Sequence, residues 1–137
     1  MPTTLTTLTV PAVTMLYAAV LGILLVLLAL NVVRLRLGRH VGLGIGNDGS
    51  LEQPVRVHAN FAENAPMFVI LLLLAELSGL EANWLHAAGA VFVVSRLLHA
   101  FGLHTQRGRS PGRFLGSVGS WTTILAMSGY LLGRSLG

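Results

Sequence analysis

Four long apolar runs constrain this chain more than anything else in it: residues 15–33, 61–80, 84–103 and 114–136, as approximate bounds. Each approaches the ~20 residues that carry an α-helix across a bilayer. Lipid offers no water to backbone amides, so a spanning segment must satisfy its own hydrogen bonds, which a helix does and an open strand does not. The remainder agrees, since 53% of the 137 residues are hydrophobic and 10% charged, against roughly 25% charged in a soluble domain. The expectation is an all-α chain, an integral membrane four-helix bundle forming one domain over residues 1–137.

Most of the charges fall between these runs. All nine basic residues are arginine and the formal net charge is +4. No basic residue precedes the first run, whereas Arg34, Arg36 and Arg39 follow it at once. This is the reverse of a cleavable signal peptide and reads as a retained anchor. If all four runs cross, the loop from Arg34 to Arg56 and the loop holding Arg107, Arg109 and Arg113 share one side, which the positive-inside rule makes cytoplasmic. The intervening turn carries Glu81 and no arginine, so it belongs outside with both termini; Arg134 is a single dissenting charge. Short loops without a transit segment fit a bacterial inner membrane.

Several function classes drop out. The arginines are dispersed, without the clustered basic face and aromatic or groove-reading elements of a nucleic-acid binder. The absence of cysteine removes disulfides, cysteine zinc sites and a cysteine nucleophile, so any thiol chemistry needs a sulfur brought by a ligand. The pairs His99/His104 and His40/His58 lack both metal spacing and companion ligands. The glycine-rich loop from Gly38 to Leu51 contains G-x-G, but no strand precedes it and no Lys-Ser/Thr follows, so it is an irregular turn, not a phosphate cradle. Gly112-x3-Gly116 and Gly129-x3-Gly133 have the small-residue spacing that lets helices approach closely.

The chemistry concentrates in EQPVRVHANFAENAP, residues 52–66. Arg56, Asn60 and Glu63, at offsets of zero, four and seven, fall on one helical stripe and offer a cation, an amide and a carboxylate to the same space. Charged groups at membrane depth are expensive unless they line a polar cavity or find partners. Two readings stay open: a ligand site, or mutual neutralisation, with a Glu52–Arg56 helix pair favoured for Glu52 and an Arg56–Glu63 pair between subunits as a further option. Pro66, three residues on, leaves the carbonyl of Ala62 without its usual helical donor, and a kink beside the polar stripe is expected.

The pattern Glu52-x3-Arg56-x3-Asn60-x2-Glu63-x2-Pro66 resembles the second-helix signature of the MAPEG family, the membrane-associated proteins in eicosanoid and glutathione metabolism. Val33-Arg34-Leu35-Arg36, Arg96-x2-His99 and Pro111-Gly112-Arg113 match further family positions in order, so the likeness spans most of the chain. It implies a homotrimer of four-helix subunits with glutathione held between neighbours near the cytoplasmic side. By position, Arg34, Arg56, Asn60, Glu63 and His99 are similar to family residues that contact glutathione or organise its pocket, and Arg113 resembles the arginine that activates the thiol.

Residue chemistry fits that implication. Arginines grip carboxylates through charge-assisted hydrogen bonds, Glu63 accepts from an ammonium, Asn60 serves an amide, and a cation at Arg113 favours thiolate. Each also has a plainer role: Arg34, Arg36, Arg39 and Arg113 as interfacial anchors among lipid headgroups, His99 as a core histidine donating to a neighbouring helix. Asn64 stands where many relatives carry tyrosine and Leu103 where several eukaryotic members do, which removes two phenol donors, of which Asn64 could replace one in part. Two functions follow as expectations. One is a membrane glutathione transferase with accompanying peroxidase activity toward lipophilic electrophiles; the other is a non-catalytic protein of the same fold that binds lipid or serves assembly.

Overall fold

The computed structural model describes residues 10–47, 49–105 and 111–137. Four helices follow in order: α1 (Ala12–Arg39), α2 (Glu52–Leu77), α3 (Ala82–Thr105) and α4 (Pro111–Leu136), with no strand among the described residues. The expected all-α membrane bundle is the observed one. Arg107, Arg109 and the side chains of Leu103 and His104 lie outside the described set.

Helix ends overshoot the apolar runs where the backbone finds better stops than hydropathy marks. α1 continues past Val33 through its arginines and ends in a left-handed cap at His40, φ 54°. The N–H of Val41 donates to the carbonyl of Arg36 at 3.1 Å and that of His40 to Leu37 at 3.3 Å, the paired closure of a Schellman motif. α2 begins at Glu52, not at residue 61, with this acidic side chain in the first turn where it complements the helix dipole. Pro111 opens α4 at the position where a missing N–H is harmless. The intervening loop is irregular as expected, with Gly44, Gly46 and Gly49 at positive φ.

α2 is the spine. Its buried residues Val57, Phe61, Ala65, Phe68, Leu72 and Ala75 recur every three or four positions and form one stripe. Phe68 stacks on Phe92 of α3 with ring centroids 4.0 Å apart and planes 3° from parallel, and Leu21, Leu85 and Met127 complete the core. α2 remains helical through Pro66.

Polarity is inverted relative to a water-soluble bundle. Ile23, Val26, Leu27, Leu30 and Leu125 lie on the outside, whereas Ser95, Arg96, His99, Ser120 and Thr123 are buried. That is the arrangement lipid demands. α1, α2 and α3 are long and apolar enough to cross a membrane. α4, although as long as α2, carries Gly116, Ser117, Gly119, Ser120, Thr122 and Thr123 and falls short of the same hydropathy.

Two contacts set the helix packing. At one end Glu76 of α2 caps α1: the N–H of Val13 donates to Oε1 at 2.9 Å and that of Thr14 to Oε2 at 2.7 Å, satisfying two of the orphan donors of a helix start. Along the bundle, α4 lies against α3 through glycines. A Cβ on Gly116 would fall 2.5 Å from the carbonyl oxygen of Ser95, and one on Gly112 would fall 3.1 Å from that of Leu98. The first small-residue pair therefore does what its spacing suggests. The second, Gly129 and Gly133, meets nothing of its own chain within 4 Å.

Candidate functional site

The polar stripe of α2 sits beside its buried stripe: Arg56, Asn60 and Glu63 are displaced by one or two positions from Val57, Phe61 and Ala65. A rotation of roughly 100° per residue turns them off the apolar core toward α3 and α4. There they line a cavity of about 560 Å³, which His99 of α3 and Arg113 of α4 complete. Glu52 and Gln53 close the end nearest the loop, beside Gly49 and Ser50. The cavity thus gathers Arg56, Asn60, Glu63, His99 and Arg113, residues separated by up to two helices in sequence.

Within its own chain, α2 does not spend these charges on each other. Among the described residues no ion pair joins Arg56 to Glu52 or to Glu63, and all three face the cavity. The intrahelical Glu52–Arg56 pair favoured from the spacing does not form. Arg56 and Glu63 are exposed, and Asn60 is half-buried. Two acidic and two basic side chains around one space suit a ligand that itself carries both signs of charge.

Arg34 is the exception. It lies exposed on the last turns of α1, where its Nη2 donates to Oδ1 of Asn31 at 3.4 Å, and it does not line the cavity of its own chain.

His99 is held from behind. Its Nδ1 lies 3.3 Å from the carbonyl oxygen of Arg113 and 3.1 Å from Oγ of Ser117, and its ring is buried. Its buried edge is tied to α4 while the residue also lines the cavity. Nothing in the sequence distinguishes Ser117 from the other hydroxyls of α4.

Arg96, which the sequence marks through the Arg96-x2-His99 match, ties the site together. Only 3% of it is exposed. Its Nη1 donates to Oδ1 of Asn60 at 2.6 Å, its Nη2 donates to the carbonyl oxygen of Gly116 at 3.0 Å, and its guanidinium lies 5.8 Å from the ring centroid of Phe92. One side chain of α3 thereby ties α2 to α4 directly behind the cavity. A lone arginine inside an apolar run was the available signal. Its partner, 36 positions away, was not legible.

Asn64 is engaged within its own helix. Its Nδ2 donates to the backbone carbonyl of Asn60 at 2.8 Å, which turns one of its two amide N–H groups back onto its own helix.

Three comparisons with known proteins bear on this site. The model of the MAPEG family matches residues 14–133. The inner membrane protein YecN of Escherichia coli strain K12 is 34% identical over 115 residues, covering 84% of this chain and 86% of that protein, and YecN of strain O6:H1 matches to the same extent. No solved structure matches.

Proposed function

Because the chain belongs to the MAPEG family, we propose that it is a membrane-bound glutathione transferase. The observation that carries this reading is the convergence of Arg56, Asn60, Glu63, His99 and Arg113 on one cavity of about 560 Å³, in a chain without a cysteine of its own.

The donor set fits the tripeptide. Glutathione presents two carboxylates, an ammonium group, peptide amides and a thiol. Arg56 supplies a bidentate donor for a carboxylate, and Glu63 accepts from the ammonium. Asn60 serves the peptide groups. Arg113 places a cation where thiolate would be favoured over thiol, and thiolate is the nucleophilic form. Glutathione supplies sulfur for attack on an electrophilic carbon, or on a peroxide oxygen, of a lipophilic substrate that arrives from the bilayer. The protein's own part is to bind, to orient and to hold the charge.

In this reading the chain assembles as a homotrimer in a bacterial inner membrane, with its basic loops cytoplasmic and both termini outside. Arg34, which stands apart from the cavity of its own chain, would then serve the site of a neighbour. The inner-membrane description of YecN supports the location.

The test is turnover. Purified protein in mild detergent, given glutathione with a lipophilic aryl halide or a lipid hydroperoxide, should consume the electrophile. Arg113→Ala should lower kcat by at least tenfold with little change in KM for glutathione. Wild-type protein that binds glutathione yet turns over neither class would reduce the chain to a binding protein of the same fold.

A further inference from the structure

Asn60 reaches the cavity with its amide already oriented. A guanidinium has only donors, so the amide atom that lies 2.6 Å from Nη1 of Arg96 must be the oxygen. The Asn60 nitrogen then points away from Arg96, and among the described residues nothing accepts from it. Asn60 lines the cavity, so what it presents there is an N–H donor. Arg96 is itself immobilised: it is 3% exposed, its other arm is bound to the carbonyl of Gly116 at 3.0 Å, and that carbonyl also accepts from Oγ of Ser120 at 2.8 Å. The chain α4–Arg96–Asn60 leaves the amide no second orientation.

We propose that Arg96 is a positioning residue that locks Asn60 as a hydrogen-bond donor, and that the cavity therefore selects a ligand with an acceptor oxygen, a peptide carbonyl or a carboxylate, at that place. This rests on the glutathione reading for the identity of the ligand and adds to it the polarity of one contact. Asn60 gives a hydrogen bond to the tripeptide and does not receive one. The charge on Arg96 also polarises the amide it holds, which strengthens the N–H on the far side.

Asparagine and aspartate have nearly the same shape, which makes the claim testable without disturbing packing. In Asn60→Asp, one carboxylate oxygen keeps the contact to Arg96 and gains charge, while the other replaces the donor by an acceptor. Isothermal titration of glutathione into the detergent-solubilised variant should show Kd raised by about tenfold to a hundredfold, the range expected for losing a hydrogen bond to a charged or polar ligand. Its thermal midpoint should equal or exceed that of wild type.

Arg96→Lys supplies the second arm. It keeps the charge and loses the two-armed grip, so KM for glutathione should rise while kcat at saturating glutathione stays within about threefold. An Asn60→Asp variant that binds as tightly as wild type would overturn the proposal and leave Asn60 a structural partner of Arg96. Unchanged KM in a folded Arg96→Lys would do the same. Absence of glutathione binding in wild type is a different failure, since it removes the glutathione reading and this inference together.

Discussion

Gly116 lies so close to His99 that a Cβ built on it would come within 2.7 Å of the His99 backbone nitrogen. No side chain fits between α3 and α4 there. Because His99 and Arg96 both reach α4 at this level, the glycine is what lets the cavity wall close.

Gly116→Ala should therefore force α4 away from α3, at a cost of about 1–3 kcal/mol for overpacking, and should weaken glutathione binding along with stability. Gly129→Ala is the control, since that position meets nothing within 4 Å. It should leave binding unchanged and raise stability by up to about 1 kcal/mol through helix propensity. Thermal unfolding of both variants in the same detergent checks the contrast.

Glu76→Ala should loosen the start of α1 without touching the cavity. The carboxylate satisfies the N–H groups of Val13 and Thr14, and removing such a cap typically lowers stability by about 0.5–2 kcal/mol. Glu76 lies sixteen residues along α2 from Asn60, a distance of roughly 24 Å at the helical rise of 1.5 Å per residue. Hydrogen exchange should speed up at the first turn of α1 while the titration of glutathione remains as in wild type.

Ser117→Ala should relax the ring of His99, which would keep only the carbonyl of Arg113 as a partner on Nδ1. Loss of one neutral hydrogen bond predicts a stability change of about 0.5–1.5 kcal/mol. In the nitrogen spectrum of labelled histidine, the His99 Nδ1 resonance should shift, with those of the other histidines unmoved. An unchanged His99 signal would mean that Ser117 is not a partner in solution.

How much of this was legible depended on the kind of interaction. The four helices follow from hydropathy, because lipid enforces the pattern over whole segments. Their ends do not, because they depend on local stops such as the His40 cap and Pro111, and α2 starts nine residues before its apolar run because Glu52, Gln53, Arg56 and Asn60 line a polar space from within the helix. The stripe Arg56, Asn60, Glu63 was readable from helical geometry alone. The service of Arg96 to Asn60 was not, since a donor's partner 36 positions away is set by packing. Nor did spacing separate Gly112 and Gly116, which meet a neighbour, from Gly129 and Gly133, which do not. Local sequence is the same in kind at both; only the helix opposite differs.

Isothermal titration of glutathione into wild-type protein in mild detergent, beside Arg56→Ala and Arg113→Ala, tests the central claim most directly. The account predicts saturable heat for wild type, and an Arg56→Ala variant weakened by about tenfold to a hundredfold, as loss of a charge-assisted contact implies. Arg113→Ala should still bind but fail to develop the ultraviolet absorbance of thiolate. No heat from a folded wild-type protein, or equal heats in wild type and Arg56→Ala, would contradict it.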